Sequence, residues 1–195
     1  IARMIGVLWC FPVPAGIFFF GLFRWARRLL AEAARCMKVT VIGGASSYTP
    51  ELVEGLLART HALPLERLTL MDIDAPRLDI VAGFCRRMAQ RLSNPISIDT
   101  SVALDGALEG ADFVITQIRV GGMAARISDE KLGRRHGILG QETTGVGGFA
   151  CALRTIPRIV AVAQAMEEIC PDSFLLNFTN PSGIVTEAVV KHSSV

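Results

Sequence analysis

The segment VIGGASS, residues 41–47, contains a turn of small residues whose types and spacing are typical of a ligand-binding site. An apolar run typical of a strand ends at Gly43 and Gly44, and an amphipathic stretch begins at Thr49 and Pro50. A helix that starts directly after a strand turns its first N–H groups outward with partial positive charge, and such groups bind phosphate anions. The segment therefore predicts a pyrophosphate site. Its candidate residues are Gly43, Gly44, Ala45, Ser46 and Ser47.

Two aspartates end the next apolar run, RLTLMDID. In dinucleotide-binding folds, a carboxylate at the end of the second strand accepts hydrogen bonds from the adenosine ribose. Asp72 and Asp74 are therefore candidate ribose ligands, and the alternative is a solvated strand end with a helix N-cap. A carboxylate would repel a 2′-phosphate, so it favours NAD over NADP. The turn departs from GxGxxG, because Ala45 and Tyr48 occupy the second and third glycine positions.

These residues belong to an alternation of short β-rich runs and longer helical patterns that begins after Met37 and is typical of βαβ units. The prediction is an α/β fold with a Rossmann-like, doubly wound, mainly parallel sheet. Predicted strands are 38–43, 67–73, 96–99, 111–117 and 173–178, and predicted helices are 50–60, 75–92, 122–135, 150–169 and 182–191. The polar, glycine-rich segment 137–148 lacks helical periodicity and predicts a mobile or ligand-shaped loop.

Composition argues against several functional classes. A formal net charge of +2 over 195 residues gives no single-sign patch for a phosphate backbone, so nucleic acid is not an expected partner. Five cysteines without CxxC spacing argue against a disulfide framework and against a zinc site. A reducing compartment, the cytoplasm, fits this pattern best. Cys85, Cys151 and Cys170 each lie in an apolar helical pattern, which predicts small buried side chains.

The first 36 residues do not match the rest of the chain. No residue from Ile5 to Phe23 is charged, and four arginines follow by position 35. Basic residues precede the apolar core of a signal peptide, so this order excludes one. A membrane anchor would keep the following chain in the cytoplasm. We favour a different interpretation, an upstream extension outside the natural protein, because the chain starts with Ile and Met37 directly precedes the first strand.

Six segments resemble glycoside hydrolase family 4, most closely its 6-phospho-β-glucosidases. They are VIGGASSYTPELVEGLL, LMDID, GGMAARISDE, GILGQETTGVGGF, LRTIP and NFTNPSG, in the family's order and spacing. The resemblance covers nearly everything after Met37. It implies that residues 37–195 are an NAD-binding Rossmann domain, truncated before a C-terminal α/β catalytic domain. It also implies a phosphorylated disaccharide or glucoside as substrate, and a homo-oligomer when the protein is full length.

The family's chemistry is an exception among glycosidases. The resemblance implies that NAD⁺ takes hydride from C3 of the sugar, after which a base removes the C2 proton and the aglycone leaves from C1. Water then adds and NADH returns the hydride, so the net reaction is hydrolysis. A divalent metal, usually Mn²⁺, polarises the C2 and C3 oxygens.

The resemblance assigns roles to three polar residues outside the turn. Arg126 and Asn180 match positions that contact the phosphorylated sugar, and Glu142 matches one that tunes the catalytic tyrosine. Arg119, which follows the fourth predicted strand, is a second candidate for the anion or else an ion-pair partner. The glycines expected to let the loop fold over the nicotinamide are Gly145, Gly147 and Gly148.

The catalytic tyrosine and the metal ligands of the family are expected beyond residue 195, with no metal ligand in this chain. The only tyrosine, Tyr48, belongs to the turn, and three histidines are expected at the surface or in loops: His61, His136 and His192. Two alternatives stay open: an NAD-dependent hydroxy-acid dehydrogenase of the lactate or malate type, and an inactive truncated binding module. The α or β and gluco or galacto preferences stay open too.

Overall fold

The computed structural model describes residues 36–195, so all but the last residue of the predicted N-terminal extension lies outside the described residues. A single parallel sheet organises this part of the chain, in the order β3-β2-β1-β4-β5. This is the predicted Rossmann-like arrangement, which is confirmed. The strands are β1 (Met37–Ile42), β2 (Leu65–Met71), β3 (Ser97–Ser101), β4 (Phe113–Thr116) and β5 (Phe174–Asn177).

Helices connect the strands and cover both faces of the sheet. Because side chains alternate along a strand, Val39 and Val41 of β1 pack into one apolar cluster, and Ile42 packs into the other. The first cluster includes α1 and α2, and the second includes α3 and α5. The helices are α1 (Thr49–Leu57), α2 (Ala75–Arg91), α3 (Leu104–Leu108), α4 (Gly122–Arg135), α5 (Gly145–Ile169) and α6 (Ser182–His192).

The helix α5 differs from its prediction at its N-terminal end. It begins at Gly145, whereas the glycine-rich segment was expected to stay a loop through residue 148. Glycines lower helix propensity, which hides this start in the sequence. Within residues 36–195, α5 is also the one helix long and apolar enough to cross a membrane. Its residues Ile159, Val162 and Met166 are buried in apolar clusters with residues of the strands, as expected for a helix that covers one face of a parallel sheet.

The cysteine and histidine predictions are confirmed for the described residues. Cys85, Cys151 and Cys170 are buried, and the three histidines lie at the surface. Burial raises the pKa of Cys85 to about 11, so the thiol is protonated at neutral pH. Cys85 therefore behaves as a small apolar side chain of the core.

A buried lysine ties β1 to the end of α3. Lys38 donates from Nζ to the carbonyl oxygens of Ala107, at 3.0 Å, and Glu109, at 2.5 Å. Desolvation by burial, together with the charge of Arg67, lowers the pKa of Lys38 from its ordinary value of 10.5. The unfolded chain therefore holds this proton to higher pH than the folded chain does. Stability should rise as pH increases through the interval between the lowered pKa and 10.5.

We expect Lys38→Met to lower the free energy of unfolding by about 1–2 kcal/mol at pH 8, because two carbonyls at the end of α3 lose a charged donor. The variant should also gain less stability than the wild type between pH 8 and pH 10. Urea unfolding of the wild type and Lys38→Met at pH 8 and pH 10 measures this difference in stability. The variant Lys131→Met is the control, because Lys131 is exposed. An identical pH dependence in wild type and Lys38→Met would contradict the assignment.

Candidate functional site

The order of strands reverses between β1 and β4, which lie side by side at the centre of the sheet. In open α/β sheets, ligands bind in the crevice outside the carboxyl ends of the strands at such a reversal. The segments that leave these two strand ends are the glycine turn, residues 43–48, and the β4–α4 loop, residues 117–121. Most of the predicted site residues lie in or next to these segments.

The glycine turn lies directly against the end of β2. The N–H groups of Gly43 and Gly44 both donate to the carbonyl oxygen of Met71, at 2.9 Å and 2.8 Å. Gly43 has a φ of +92°, a left-handed conformation that favours glycine. A Cβ on Gly44 would lie 2.9 Å from Cβ of Leu70. Both glycines are therefore needed for the turn itself, whatever binds against it.

The two predicted ribose ligands have different surroundings. The Asp72 carboxylate accepts from the N–H of Ala45, at 3.0 Å, and from that of Asp74, at 3.1 Å. The Asp74 carboxylate instead accepts from the N–H of Arg77, at 3.2 Å, as the N-cap of α2. The structure thus brings Asp72 to the glycine turn and gives Asp74 the capping role that was its alternative.

The second half of the turn leaves one donor open. Ser46 accepts from the N–H of Tyr48 through its hydroxyl, at 3.2 Å, and Thr49 donates its N–H to the Ser46 carbonyl, at 3.1 Å. Among the hydrogen bonds within residues 36–195, none uses the N–H of Ser47, which is exposed. This N–H, just before α1, is a backbone donor available to an anion.

A glutamine at the end of β4 holds the turn from the other side, and the sequence analysis missed it. The Gln117 amide donates to the carbonyl oxygen of Gly43, at 3.2 Å, and to the hydroxyl of buried Thr49, at 2.7 Å. A Cβ on Gly43 would lie 2.7 Å from the Gln117 carbonyl oxygen. The only available signal was a polar residue directly after a buried strand, where ligand contacts and turn contacts look alike.

Two predicted substrate residues, Arg119 and Arg126, form one charged group with the predicted tuning residue Glu142. Glu130 also belongs to this group, which is here called the arginine cluster. Arg119 donates to Glu142 Oε1, and Arg126 Nη1 lies 3.3 Å from Glu142 Oε2. Arg126 Nε also donates to Glu130 Oε1, at 2.9 Å. The hydrogen bond to Glu130 and then the charge of Glu142 raise the pKa of Arg126. Both arginines are thus paired with carboxylates.

The loop that carries Glu142 packs closely on the first turn of α5. A Cβ on Gly147 would lie 2.2 Å from the carbonyl oxygen of Gln141, and a Cβ on Gly148 would lie 2.5 Å from the carbonyl carbon of Thr143. The neighbours on each side of Glu142 therefore contact glycines of the helix. The predicted role of these glycines, folding over a nicotinamide, is untested, and their contacts here hold the Glu142 backbone against α5.

A second ion pair, absent from the sequence analysis, joins α4 to α5. Asp129 is buried, and its two carboxylate oxygens accept from Nη1 and Nη2 of Arg154, at 3.0 Å and 2.5 Å. Arg154 Nε also donates to the carbonyl oxygen of Val120, at 3.4 Å. The pair therefore holds Val120, the residue that follows Arg119, and so helps to position the arginine cluster.

The predicted sugar contact Asn180 lies in the loop after β5, the strand beside β4. Asn180 is exposed, and its carbonyl oxygen accepts a weak hydrogen bond from Cys151 Sγ, at 3.7 Å. The loop is fixed by Thr179, whose hydroxyl accepts from the N–H of Ile118, at 3.1 Å, and whose N–H donates to Asn177, at 2.9 Å. Asn180 is thereby held beside the β4–α4 loop.

The glycine turn and the arginine cluster meet at the end of β4. Gln117, which contacts the turn, and Arg119, which contacts Glu142, are two residues apart along the chain, a span of about 7 Å at most. No three His, Cys, Asp or Glu side chains cluster as a metal site in the part of the chain that the structure describes.

A parallel sheet in this order, with a glycine turn at the reversal and an acidic residue at the end of β2, defines a dinucleotide-binding α/β protein. The arginine cluster lies beside the turn, with both of its guanidinium groups paired to carboxylates. Residues 38–195 match the sequence model of the family 4 glycosyl hydrolases. The chain belongs to that family.

Relatives agree with this assignment. The chain is 48% identical to the 6-phospho-β-glucosidase of Escherichia coli (strain K12) over 159 residues, which are 80% of this chain and 35% of the relative. It is 40% identical to the solved 6-phospho-β-glucosidase of Thermotoga maritima with manganese, NAD⁺ and glucose-6-phosphate, with a TM-score of 0.74 over 78% of this chain and 37% of that one.

A 6-phospho-α-glucosidase structure from gut microorganisms, in complex with NAD and Mn²⁺, is 30% identical with a TM-score of 0.77 and covers 81% of this chain and 36% of that one. The chain thus spans about a third of the length of the relatives it matches. The malate dehydrogenase of Plasmodium falciparum shares the fold alone, at 16% identity and a TM-score of 0.58.

Proposed function

We propose that this chain is the NAD-binding part of a 6-phosphoglucosidase of the β type, acting on phosphorylated glucosides by the oxidation, elimination, addition and reduction sequence described above. One observation carries the proposal: a single strand end supplies Gln117 to the glycine turn and Arg119 to the arginine cluster. A dinucleotide and a phosphorylated ligand would therefore bind next to each other. The relatives with NAD and glucose-6-phosphate support the same pair of ligands.

The glycine turn has the features that a dinucleotide requires. The Ser47 N–H and the adjacent serine hydroxyls are placed to bind a pyrophosphate, and the two buried glycines hold the turn against the ends of β2 and β4. Asp72 holds the turn through Ala45 and lies at the strand end where a ribose is bound in this fold. Bound NAD⁺ would supply a hydride acceptor, and the residues of this chain would bind and orient it.

The arginine cluster suits the phosphate of a phosphorylated sugar. Guanidinium groups bind phosphate oxygens through paired hydrogen bonds, and Arg126 and Arg119 stand side by side around one carboxylate. Asn180, on the neighbouring loop, can donate to and accept from sugar hydroxyls. No three His, Cys, Asp or Glu side chains cluster among residues 36–195, and no step through Mn²⁺ is assigned to them.

A cytoplasmic location and self-association of the complete protein also belong to this proposal. The buried thiols of Cys85, Cys151 and Cys170, none of them in a disulfide, support a reducing compartment. The dehydrogenase alternative is weaker, because the likeness to malate dehydrogenase is limited to the fold. A dehydrogenase would accumulate NADH with a hydroxy acid, whereas the glycosidase would release aglycone without net NADH.

Isothermal titration calorimetry of the 195-residue chain with NAD⁺ tests the proposal. We expect saturable binding of NAD⁺, and weaker binding of NADP⁺ because its 2′-phosphate would face the Asp72 carboxylate. Circular dichroism on the same sample checks that the chain is folded. Absence of any NAD⁺ uptake by the folded chain would overturn both the proposed function and the dehydrogenase alternative, and would leave the inactive binding module.

A further inference from the structure

Glu142 uses both of its carboxylate oxygens on the arginines predicted to bind substrate. Oε1 accepts from Arg119, and Oε2 lies 3.3 Å from Arg126 Nη1. Two guanidinium groups that share the two oxygens of one carboxylate are placed as they would be around two oxygens of a phosphate group. The carboxylate of Glu142 thus occupies the position where an anionic ligand would bind between the arginines.

This carboxylate is held in place from its own backbone. The residues on either side, Gln141 and Thr143, lie against Gly147 and Gly148 of α5 with no room for a Cβ. The Glu142 side chain is only 16% exposed, whereas those of Arg119 and Arg126 are 38% and 37% exposed. The Glu142 backbone is therefore fixed beside the arginines, and only its side chain is free to move away from them.

The charges of the cluster are already balanced before any ligand binds. Arg119 and Arg126 face the carboxylates of Glu142 and Glu130, and the neighbouring pair of Asp129 and Arg154 is balanced as well. A phosphate dianion added to this arrangement would meet the like charge of Glu142 at close range, which is strongly unfavourable. Binding then requires the Glu142 carboxylate to leave the arginines.

We propose that Glu142 is a specificity-determining residue: an internal counter-anion that occupies Arg119 and Arg126 and must be displaced by the phosphate of a phosphate monoester. The inference rests on the proposed function, since it takes the two arginines as the phosphate site. Because Glu142 must first move away, the apparent affinity for an anion is reduced by the fraction of time that the arginines are uncovered. Weakly bound anions are thereby rejected, and only a ligand with strong charge and further contacts displaces the carboxylate.

The test uses the 195-residue chain, the variant Glu142→Gln and methyl phosphate, a phosphate monoester without a sugar. Glutamine keeps the shape of the side chain and removes its charge, so we expect methyl phosphate to bind about tenfold more tightly to the variant at pH 8. Glu187→Gln is the matched control, because it removes a carboxylate of the same kind from an exposed ion pair with Lys191, outside the arginine cluster. Its affinity should change less than about twofold.

Calorimetry gives the affinities, and circular dichroism checks that each variant is folded. Unchanged or weaker binding by Glu142→Gln would overturn the inference and would mean that Glu142 only positions the arginines. A second measurement uses the wild type alone, in case the variant does not fold. The side-chain carboxyl ¹³C resonance of Glu142 should move when methyl phosphate is added, and a resonance that stays in place at saturation would overturn the inference.

The result is separate from that of the proposed function, because methyl phosphate binding requires no dinucleotide. Failure of methyl phosphate to bind either protein would overturn the inference while NAD⁺ uptake still supports the cofactor site. Tighter binding by Glu142→Gln without any NAD⁺ uptake would keep the arginine cluster as an anion site and remove the glycosidase proposal.

Discussion

Replacing Gly43 by alanine should abolish NAD⁺ uptake and lower the free energy of unfolding by about 3 kcal/mol. Two effects add at this position. Gly43 has a φ of +92°, which an L side chain rarely adopts, and its Cβ would lie 2.7 Å from the carbonyl oxygen of Gln117. The turn would therefore separate from the end of β4. The donors that approach a pyrophosphate would move with it, so binding should be lost along with stability.

The matched control is Gly55→Ala in α1, the helix that follows the same turn. A Cβ on Gly55 would meet only the end of the Arg59 side chain, at 3.7 Å, and alanine favours a helix interior. This variant should be more stable than the wild type by about 0.5–1 kcal/mol and should bind NAD⁺ equally well. Urea unfolding and calorimetry measure both quantities. Wild-type affinity for NAD⁺ in Gly43→Ala would show that the ligand does not bind at this turn.

Most of the fold could be predicted from periodicity because each long element buries a face. The strands β1, β2 and β4 are mostly buried, and α2 and α5 each carry an apolar stripe that faces the core. The prediction omits α3, since the five residues Leu104–Leu108 are too few to show a helical period. It also starts α5 too late, because the glycines that begin the helix at Gly145 were interpreted as loop residues.

The site could be predicted only in part, for a different physical reason. Local signals identified the glycine turn and Asp72, since a strand, small residues and an acid follow each other in a fixed order. Contacts between distant segments leave no such signal. Gln117 reaches Thr49 across 68 residues of sequence, and Arg119 reaches Glu142 across 23. Only the folded chain shows that the residue expected to tune a tyrosine is paired with the arginines.

Gln117 and Arg119 both lie in the loop just after β4, which would give the two proposed ligands a physical connection. A dinucleotide that rigidifies the glycine turn also restrains Gln117, and through the short β4–α4 loop it restrains Arg119. The same loop is held from the other side by Arg154, which donates to the Val120 carbonyl oxygen. The geometry of the arginine cluster therefore depends on the ion pair that Arg154 makes.

Replacing Asp129 by alanine should lower the free energy of unfolding by about 2–3 kcal/mol, somewhat less than the loss of one partner of a fully buried pair. Asp129 is buried and accepts both hydrogen bonds from a guanidinium that is about one-third exposed, so its removal leaves Arg154 partly desolvated without a counter-ion. The released Arg154 would also free Val120. Methyl phosphate affinity should therefore fall several-fold with stability.

Two matched variants distinguish this account from a general effect of charge on α4. Glu130→Ala, one residue along the same helix, breaks a pair whose members are both more than one-third exposed, and should cost only about 0.3–0.5 kcal/mol. The double variant Asp129→Leu with Arg154→Met replaces the buried pair by apolar side chains. It should recover most of the lost stability, because no charge is left unpaired, but not the methyl phosphate affinity, because Val120 still lacks its donor. Urea unfolding of Asp129→Ala, Glu130→Ala and the double variant measures their free energies of unfolding. Equal losses for Asp129→Ala and Glu130→Ala would show that burial of the Asp129 pair does not affect stability.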